Sequence, residues 1–558
     1  MSKITVMLLL WAGFALRLYR LGAESLWYDE TVSAFLASLP PLDLIGHTAR
    51  DIHPPGYYLL LHFWRGLAGS SEFALAFFSL SFSLLLIAAT GRLARHLTGS
   101  RAVANWAMLL VALSPYQVWY AQEVRMYTLA AFLGLAASLC FLIARPKSGQ
   151  ARLLYWLGYV LCATAGLYTL YYFAFLLIAL NVFWLIETLR PKVNREQLST
   201  FLGLNLVVLL LYLPWLPIAW RQATDPPVPP WRTPQSPGAI WLESWSALSL
   251  GQSIEPGHLW PVLGLTLLLF FLGLSRLKHH LALFLALYTF GPLLLIQLFS
   301  LMTPLYHVRY LFTYAPAFYI LLAAGITKMA TRINIGVTLT ATAILLGANA
   351  FSLYQLHTDA RYQADDLRGA VQFIETQWQP GDVILTNAGY TYPAFVIYTT
   401  WPDLERHRLV PYQPPTKFDQ PMLLQGGTVA GTPRLGWGDP RSDFYAMSAT
   451  ETIAALEALA GDYQRLWLLR AYDTVTDPTG LIRTWLAEQT IPLEDQLFAG
   501  QSNIRAQGFL LPKPVPLNGE AVDFADGMRL VGWTLPQQTW QAGQVVPVKL
   551  GWQTTSRP

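Results

Sequence analysis

Followed along its apolar positions, the chain falls into two unequal parts. Long apolar runs crowd residues 4 to 352, and no later run could cross a hydrocarbon layer of about 30 Å. Spans are predicted at 4–21, 72–91, 103–120, 126–144, 153–169, 171–189, 200–220, 259–275, 281–302, 310–327 and 334–352, about eleven in all. The stretch 153–189 is continuous and is divided between Gly166 and Tyr172, because about 20 residues make one span. The first apolar run meets Arg17 and Arg20 with no small-residue cleavage site, so it reads as a signal-anchor.

Beyond residue 352 the pattern shortens. A helical period runs from Asp365 to Trp378, Gln379-Pro380-Gly381-Asp382 makes a turn, and Val383-Ile384-Leu385 reads as a buried strand. Helices follow near 450–460 and 478–488, with strands near 464–470, 493–498 and 503–511. Alternation of this kind predicts an α/β domain. From Lys513 the runs are short and β-like, as in Val546 to Leu550, and about 45 residues are few for an independent β domain. The expected organisation is a mainly α polytopic membrane bundle at 1–352, an extracytoplasmic α/β domain at 353–512 and an incomplete β-rich segment at 513–558.

Charge orients the predicted spans. With the N-terminus cytoplasmic, the inner loops hold Arg92, Arg95 and Arg101, then Arg145, Lys147 and Arg152, then Arg190, Lys192 and Arg195. Arg276 with Lys278, and Lys328 with Arg332, complete them, while acids such as Glu24, Asp29, Glu30, Asp43, Asp51 and Glu123 collect outside. That asymmetry follows the positive-inside rule and places the C-terminal part outside the cytoplasm of a plasma membrane. Locally the first span disagrees, since Lys3 is outvoted by Arg17 and Arg20 on its outer side.

Composition narrows the class. Of 558 residues 54% are hydrophobic and 13% charged, about half the charge of soluble domains, which excludes a soluble enzyme and a disordered chain. A net charge of +4 over this length does not point to nucleic acid. Cys140 and Cys162 both lie in apolar runs and read as small core residues.

Candidate chemistry gathers on the outer face, where ionisable groups beside spans are costly and therefore informative. The first outer loop contains Leu26-Trp27-Tyr28-Asp29-Glu30, then Asp51-Ile52-His53-Pro54-Pro55 leading into an aromatic helix. The third span ends in Gln122, Glu123, Val124, Arg125, Met126 and Tyr127. Later outer segments add Tyr168 to Tyr172, the stretch Pro226 to Trp231, and Tyr306 to Tyr310. The acidic pair, His-Pro-Pro and Gln-Glu-Val-Arg-Met-Tyr, in this order, resemble the polytopic GT-C glycosyltransferases, in the branch of protein O-mannosyltransferases and lipid A aminoarabinose transferases. The likeness extends over roughly residues 10 to 400.

This resemblance implies a sugar donor carried on a polyprenyl phosphate, a lipid, glycan or protein acceptor, and transfer at the outer membrane surface with inversion. It implies Asp29 as general base beside Glu30, with His53, Arg125 and Arg309 as cations for the donor phosphate. Tyr28, Gln122 and Tyr127 become candidates for substrate contact. The sequence departs from the family at His53, where the aminoarabinose branch has a lysine, and at Leu170, where a histidine is common. No metal ligand is carried over, and no cofactor is expected. Plainer readings stand beside these. Asp29 and Glu30 are also what a headgroup-level anchor after Trp27 and Tyr28 would show, and Arg125 is also placed to snorkel or to pair with Glu123. A transporter or lipid flippase is the rival from another class, although such proteins place their ionisable groups near the midplane.

Overall fold

The computed structural model describes residues 3–189, 195–229, 231–429, 435–511, 518–524, 527–535, 546 and 548–554. Of the residues singled out above, Arg190, Lys192, Pro230, Lys513 and Pro547 lie outside this set. The chain divides into two compact units, one of Met1–Asp366 with Asp439–Ser442, the other of Leu367–Gly438 with Asp443–Pro558.

The first unit is a helical membrane bundle. Each of the eleven apolar segments coincides with a helix or a helix pair. Five helices among the described residues are long and apolar enough to cross a membrane: Glu72–Thr98, Tyr127–Ala144, His279–Ser300, Val308–Arg332 and Ile335–Thr358. The division of 153–189 falls at Leu170 to Tyr172, between Gly149–Thr169 and Phe173–Leu189. Exposed leucines such as Leu206, Leu209 and Leu210 on Arg195–Tyr212 present the apolar surface that lipid requires.

Two predicted spans are not continuous. Segment 200–220 bends by 81° between Arg195–Tyr212 and Leu216–Thr224, where Pro214 has no N–H to continue the ladder. Segment 103–120 breaks at Ser114 into Arg101–Leu113 and Pro115–Gln122. Pro115 cannot donate to the Val111 carbonyl, and Arg17 does so instead. Its Nη2 reaches Val111 O at 2.9 Å, Nη1 reaches Ala112 O at 2.8 Å, and Nε reaches Ser83 Oγ at 2.7 Å. Arg17 is therefore fully buried as a cap for a broken helix. This accounts for a positive charge at the wrong end of the first span.

The first outer loop is itself helical, as Tyr28–Ser38, Pro41–Thr48 and Gly56–Ala68, all too short to span. Gly56 permits a close approach, since a Cβ there would lie 2.6 Å from the Tyr168 carbonyl oxygen. The helix that follows His53-Pro54-Pro55 can thus lie against the backbone at Tyr168.

The second unit is built on a mixed six-stranded sheet. Its strands are β1 (Asp382–Thr386), β2 (Glu405–Arg408), β3 (Met422–Gln425), β4 (Arg465–Arg470), β5 (Ile491–Phe498) and β6 (Ile504–Leu510), in the order β2-β3-β1-β4-β6-β5. The first four run parallel, while β6 is antiparallel to both β4 and β5. Central β1 is buried at every position, as a strand covered on both faces must be. Leu456, Leu459, Ile482 and Leu486 pack with Val383, Leu385, Leu466 and Leu468 in the core. Strands β2 and β3 and helix Tyr392–Tyr398 had no clear sequence signal: β2 reads Glu-Arg-His-Arg and sits at the sheet edge, where polar residues are tolerated. A three-stranded sheet of β7 (Val522–Phe524), β8 (Met528–Thr534) and β9 (Lys549–Thr554) follows.

Candidate active site

The site starts from helix Tyr28–Ser38. Trp27 offers no side-chain cap, but Glu30 Oε2 accepts the Trp27 N–H at 3.1 Å, the return half of a capping box. Its other oxygen accepts the Val124 N–H at 2.7 Å. Glu30 is buried and ties the start of this helix to the turn between Pro115–Gln122 and Tyr127–Ala144. That turn carries Glu123 and Arg125.

Asp29, one position earlier, faces cations. Its Oδ2 accepts from Arg309 Nη1 at 2.8 Å and lies 3.6 Å from Arg125 Nη2. Arg125 is 2% exposed in its side chain and serves several acceptors. Its Nη1 donates to Asp29 O at 3.0 Å, Ser33 Oγ at 3.3 Å and Tyr58 OH at 3.4 Å, and its Nη2 to His53 Nε2 at 3.3 Å. His53 Nδ1 lies 3.6 Å from Asp51 Oδ2. With Nε2 accepting from a guanidinium, His53 is a neutral link between Asp51 and Arg125.

Arg309 belongs to the 3₁₀ turn Val308–Tyr314, whose start is capped by His307 Nδ1 accepting the Arg309 N–H at 3.3 Å. Beside it Arg232 donates to Tyr310 OH at 2.6 Å and to Tyr172 OH at 3.2 Å. The rings of Tyr172 and Tyr310 stack with centroids 3.7 Å apart. Trp231 lies under both Arg232 and Arg309, at 4.5 and 5.5 Å from ring centroid to guanidinium carbon. The Nε atoms of Arg125, Arg232 and Arg309 are all buried without a hydrogen-bond partner among the described residues.

The charges sort the carboxyls. Burial would raise Asp29, but Arg125 and Arg309 overcome it and hold the group below the usual carboxylate range. Glu123 is pushed up to about 7, mainly by burial, and its Oε2 has no hydrogen-bond partner among the described residues. Glu30 rises to about 8 from burial with Glu123 adding to it. His53 is lowered by burial and by Arg125, and His307 well below its ordinary value by burial, Arg309 and Arg232. The centre thus holds an ionised Asp29, buried guanidiniums and neutral histidines.

Of the residues named from the sequence, Asp29, His53, Arg125 and Arg309 come together, with Tyr127 buried beside Tyr310. Glu30 points to backbone amides instead of into the cluster. Gln122 donates to the carbonyls of Arg17 and Tyr19, at 3.1 and 2.7 Å, which closes the end of the first helix. Tyr28 opens its helix half-buried. Sequence reasoning passed over Arg232, His307, Ser33 and Asp51 as members of the cluster. Arg232 directly follows the Pro-rich stretch to Trp231, and a cation there on the outer face was the available signal. Among the described residues no group of three or more His, Cys, Asp or Glu side chains is placed to share a metal ion.

Residues 52–218 match the family of dolichyl-phosphate-mannose-protein mannosyltransferases. That segment contains His53 and Arg125; Asp29, Arg232 and Arg309 reach the cluster from outside it. The structure aligns with ArnT from Cupriavidus metallidurans in the apo state over 91% of this chain and 98% of that one, with TM-score 0.57 and 13% identity. The chain thus shares the fold of ArnT and carries a segment similar to the mannosyltransferase family. The same ArnT bound to undecaprenyl phosphate gives TM-score 0.56 at 13% identity, over 92% of this chain and 99% of that one. The arabinofuranosyltransferase AftD from Mycobacteria gives TM-score 0.50 at 11% identity, over 92% of this chain and 40% of AftD. No curated protein sequence matches this chain.

Proposed function

We propose that this protein is a GT-C glycosyltransferase that moves a sugar from a polyprenyl-phosphate donor to a hydroxyl acceptor at the outer face of a plasma membrane, with inversion and with Asp29 as general base. The observation that carries the reading is a single ionised carboxylate in contact with two buried guanidiniums, with a third across Tyr310. A donor with a long isoprenoid tail can present its phosphate only at headgroup level, where these groups lie in the proposed topology.

In the proposed step the acceptor oxygen attacks the anomeric carbon as the bond from that carbon to the phosphate oxygen breaks. Polyprenyl phosphate leaves as a monoester and gains one negative charge, which Arg125, Arg309 and Arg232 stabilise where it develops. The acceptor proton passes to Asp29. In the resting site Asp29 is a weak base because the guanidiniums hold its charge. A donor phosphate on those same cations supplies competing negative charge and raises the proton affinity of Asp29. Glu30 acts through position, holding the turn that carries Arg125. The guanidiniums supply the positive charge that a divalent ion supplies in other phosphate chemistry, so transfer is expected without an added metal. The acceptor is a lipid, glycan or protein hydroxyl, and the loop charges support a cytoplasmic N-terminus.

The test compares purified wild type with Asp29→Asn, using radiolabelled polyprenyl-phosphate hexoses and reading release of polyprenyl phosphate. Turnover by wild type with a loss of about a hundredfold or more in the variant supports the base assignment. Equal turnover moves the base elsewhere. Folded protein that turns over no donor favours a lipid transporter. Loss of turnover with a chelator, restored by a divalent ion, would show that the guanidiniums are not sufficient.

A further inference from the structure

A second polar concavity lies within the membrane unit, far from Asp29. Helix Tyr127–Ala144 begins beside Arg125 and ends at Arg145, and helix Ala315–Arg332 begins just after the turn of Arg309 and ends at Arg332. Each has 18 residues, about 27 Å at 1.5 Å per residue, close to the hydrocarbon thickness. At their far ends is a cavity of about 1270 Å³. Arg145, Arg276, Lys278, Lys328 and Arg332 line it, and among the described residues no Asp or Glu does.

These cations are largely uncommitted. Arg145 is 3.9 Å from Glu187, and Lys328 donates to Ser275 Oγ at 2.7 Å. Arg276, Lys278 and Arg332 make no ion pair or side-chain hydrogen bond among the described residues. The positive-inside rule asks only for cations in these loops. It does not ask for five around one concavity, gathered from loops far apart in the chain. The wall towards the bundle is apolar, with Leu97, Leu142, Phe183 and Phe284. A ligand that suits both surfaces has anionic phosphates at the rim and an alkyl chain that can lie along the wall. One phosphate engages two or three of the cations; five around so wide a cavity match a headgroup with two.

We propose that this cavity is a binding site for an anionic lipid with two phosphates in its headgroup, on the face opposite the transfer chemistry. Basic pockets between membrane helices take diphosphate lipids by the same combination of charge and depth. The site stands on the cation cluster and the cavity alone, and it does not depend on the proposed reaction.

The test uses the full chain in neutral detergent, titrated with cardiolipin, with phosphatidylcholine and with inorganic pyrophosphate, read by native mass spectrometry. Saturable cardiolipin binding is expected, at least tenfold tighter than phosphatidylcholine and weakening with salt. Arg276→Gln with Lys278→Gln should weaken it about tenfold or more. Arg92→Gln with Arg101→Gln, the same charge change outside the cavity, should leave it unaltered. All four positions are exposed, and a melting curve matching wild type verifies each fold. Arg332→Gln replaces the first pair should that pair fail to fold. Equal losses in the two pairs would reduce the effect to general surface charge and overturn the proposal. Pyrophosphate binding as tight as cardiolipin would overturn the lipid assignment, and folded wild type without saturable cardiolipin binding would overturn the site.

Discussion

Replacing Arg125 by methionine tests how the site holds its base. The substitution keeps much of the side-chain bulk and removes one of the two guanidiniums at Asp29. At 3.6 Å and an effective dielectric of about 20, that charge pair is worth about 5 kcal/mol. Arg309 remains at 2.8 Å and Asp29 keeps some contact with solvent, so part of that figure is recovered. A carboxylate beside one arginine is typically lowered by about 1–3 pH units, and losing that neighbour should return a similar amount. The sign follows from the base role. Transfer needs ionised Asp29, whose protonation in wild type lies below the usual carboxylate range, so Asp29 causes no acid-side loss of kcat/KM above about pH 5. In Arg125→Met the acid limb should rise by about 1–3 pH units towards neutrality. The assay is kcat/KM from pH 4.5 to 8 with a labelled polyprenyl-phosphate donor, and the readout is the position of the limb. Amplitude should fall as well, because Arg125 is also a phosphate cation. Arg125→Lys separates the two effects: the charge stays, so the limb stays, while the rate falls because an ammonium cannot reproduce the planar fork to Asp29 O, Ser33, Tyr58 and His53. A limb that does not move in Arg125→Met, while wild type shows the same limb, would refute the electrostatic coupling.

Three further perturbations reach other parts of the structure. Glu30→Gln puts an amide NH₂ against one of the two backbone N–H groups that the carboxylate now satisfies, which should cost about 1–3 kcal/mol and lower the melting temperature; unchanged melting and unchanged transfer would show that the clasp is dispensable. Glu123 titrates at about 7 against an ordinary 4.5, so ionising it burdens the folded state increasingly between those pH values, by about 3 kcal/mol at most. Melting temperature should therefore drop from pH 5 to 8 in wild type and drop less in Glu123→Gln, with Glu30 accounting for part of the residual slope; parallel curves would contradict this. In the second unit, Arg465 holds buried Asp382 through two contacts of 2.8 and 2.6 Å, so Arg465→Met should destabilise that unit by about 3–5 kcal/mol. Faster hydrogen exchange in β1 and β4 is the expected sign, and unchanged protection there would count against it.

The amino-acid sequence by itself determined where apolar segments lie, because a run of about 20 apolar residues has few homes other than a bilayer. It also gathered the candidate chemistry at span ends predicted to share one face, since charge at span ends is set by insertion rather than by packing. The order of the acidic pair, His53-Pro54-Pro55 and the turn at Arg125 was enough to suggest a resemblance that the match over residues 52–218 supports. Pro115 and Pro214 lie inside predicted spans that were read as continuous, and only the structure shows that one segment breaks and the other bends by 81°. Which acid faces the cations was decided by the tertiary structure. Asp29 and Glu30 are neighbours in the chain, yet successive side chains on a helix point about 100° apart, so one meets guanidiniums and the other backbone amides. Arg17 and Arg232 show the same limit. A lone arginine near a span end reads as a topology signal, and its partners lie far along the chain: Val111 and Ala112 for the first, Tyr172 and Tyr310 for the second. Asp29 and Arg309 meet across 280 residues, a pairing that no local pattern encodes and only the packing of the bundle brings within 2.8 Å.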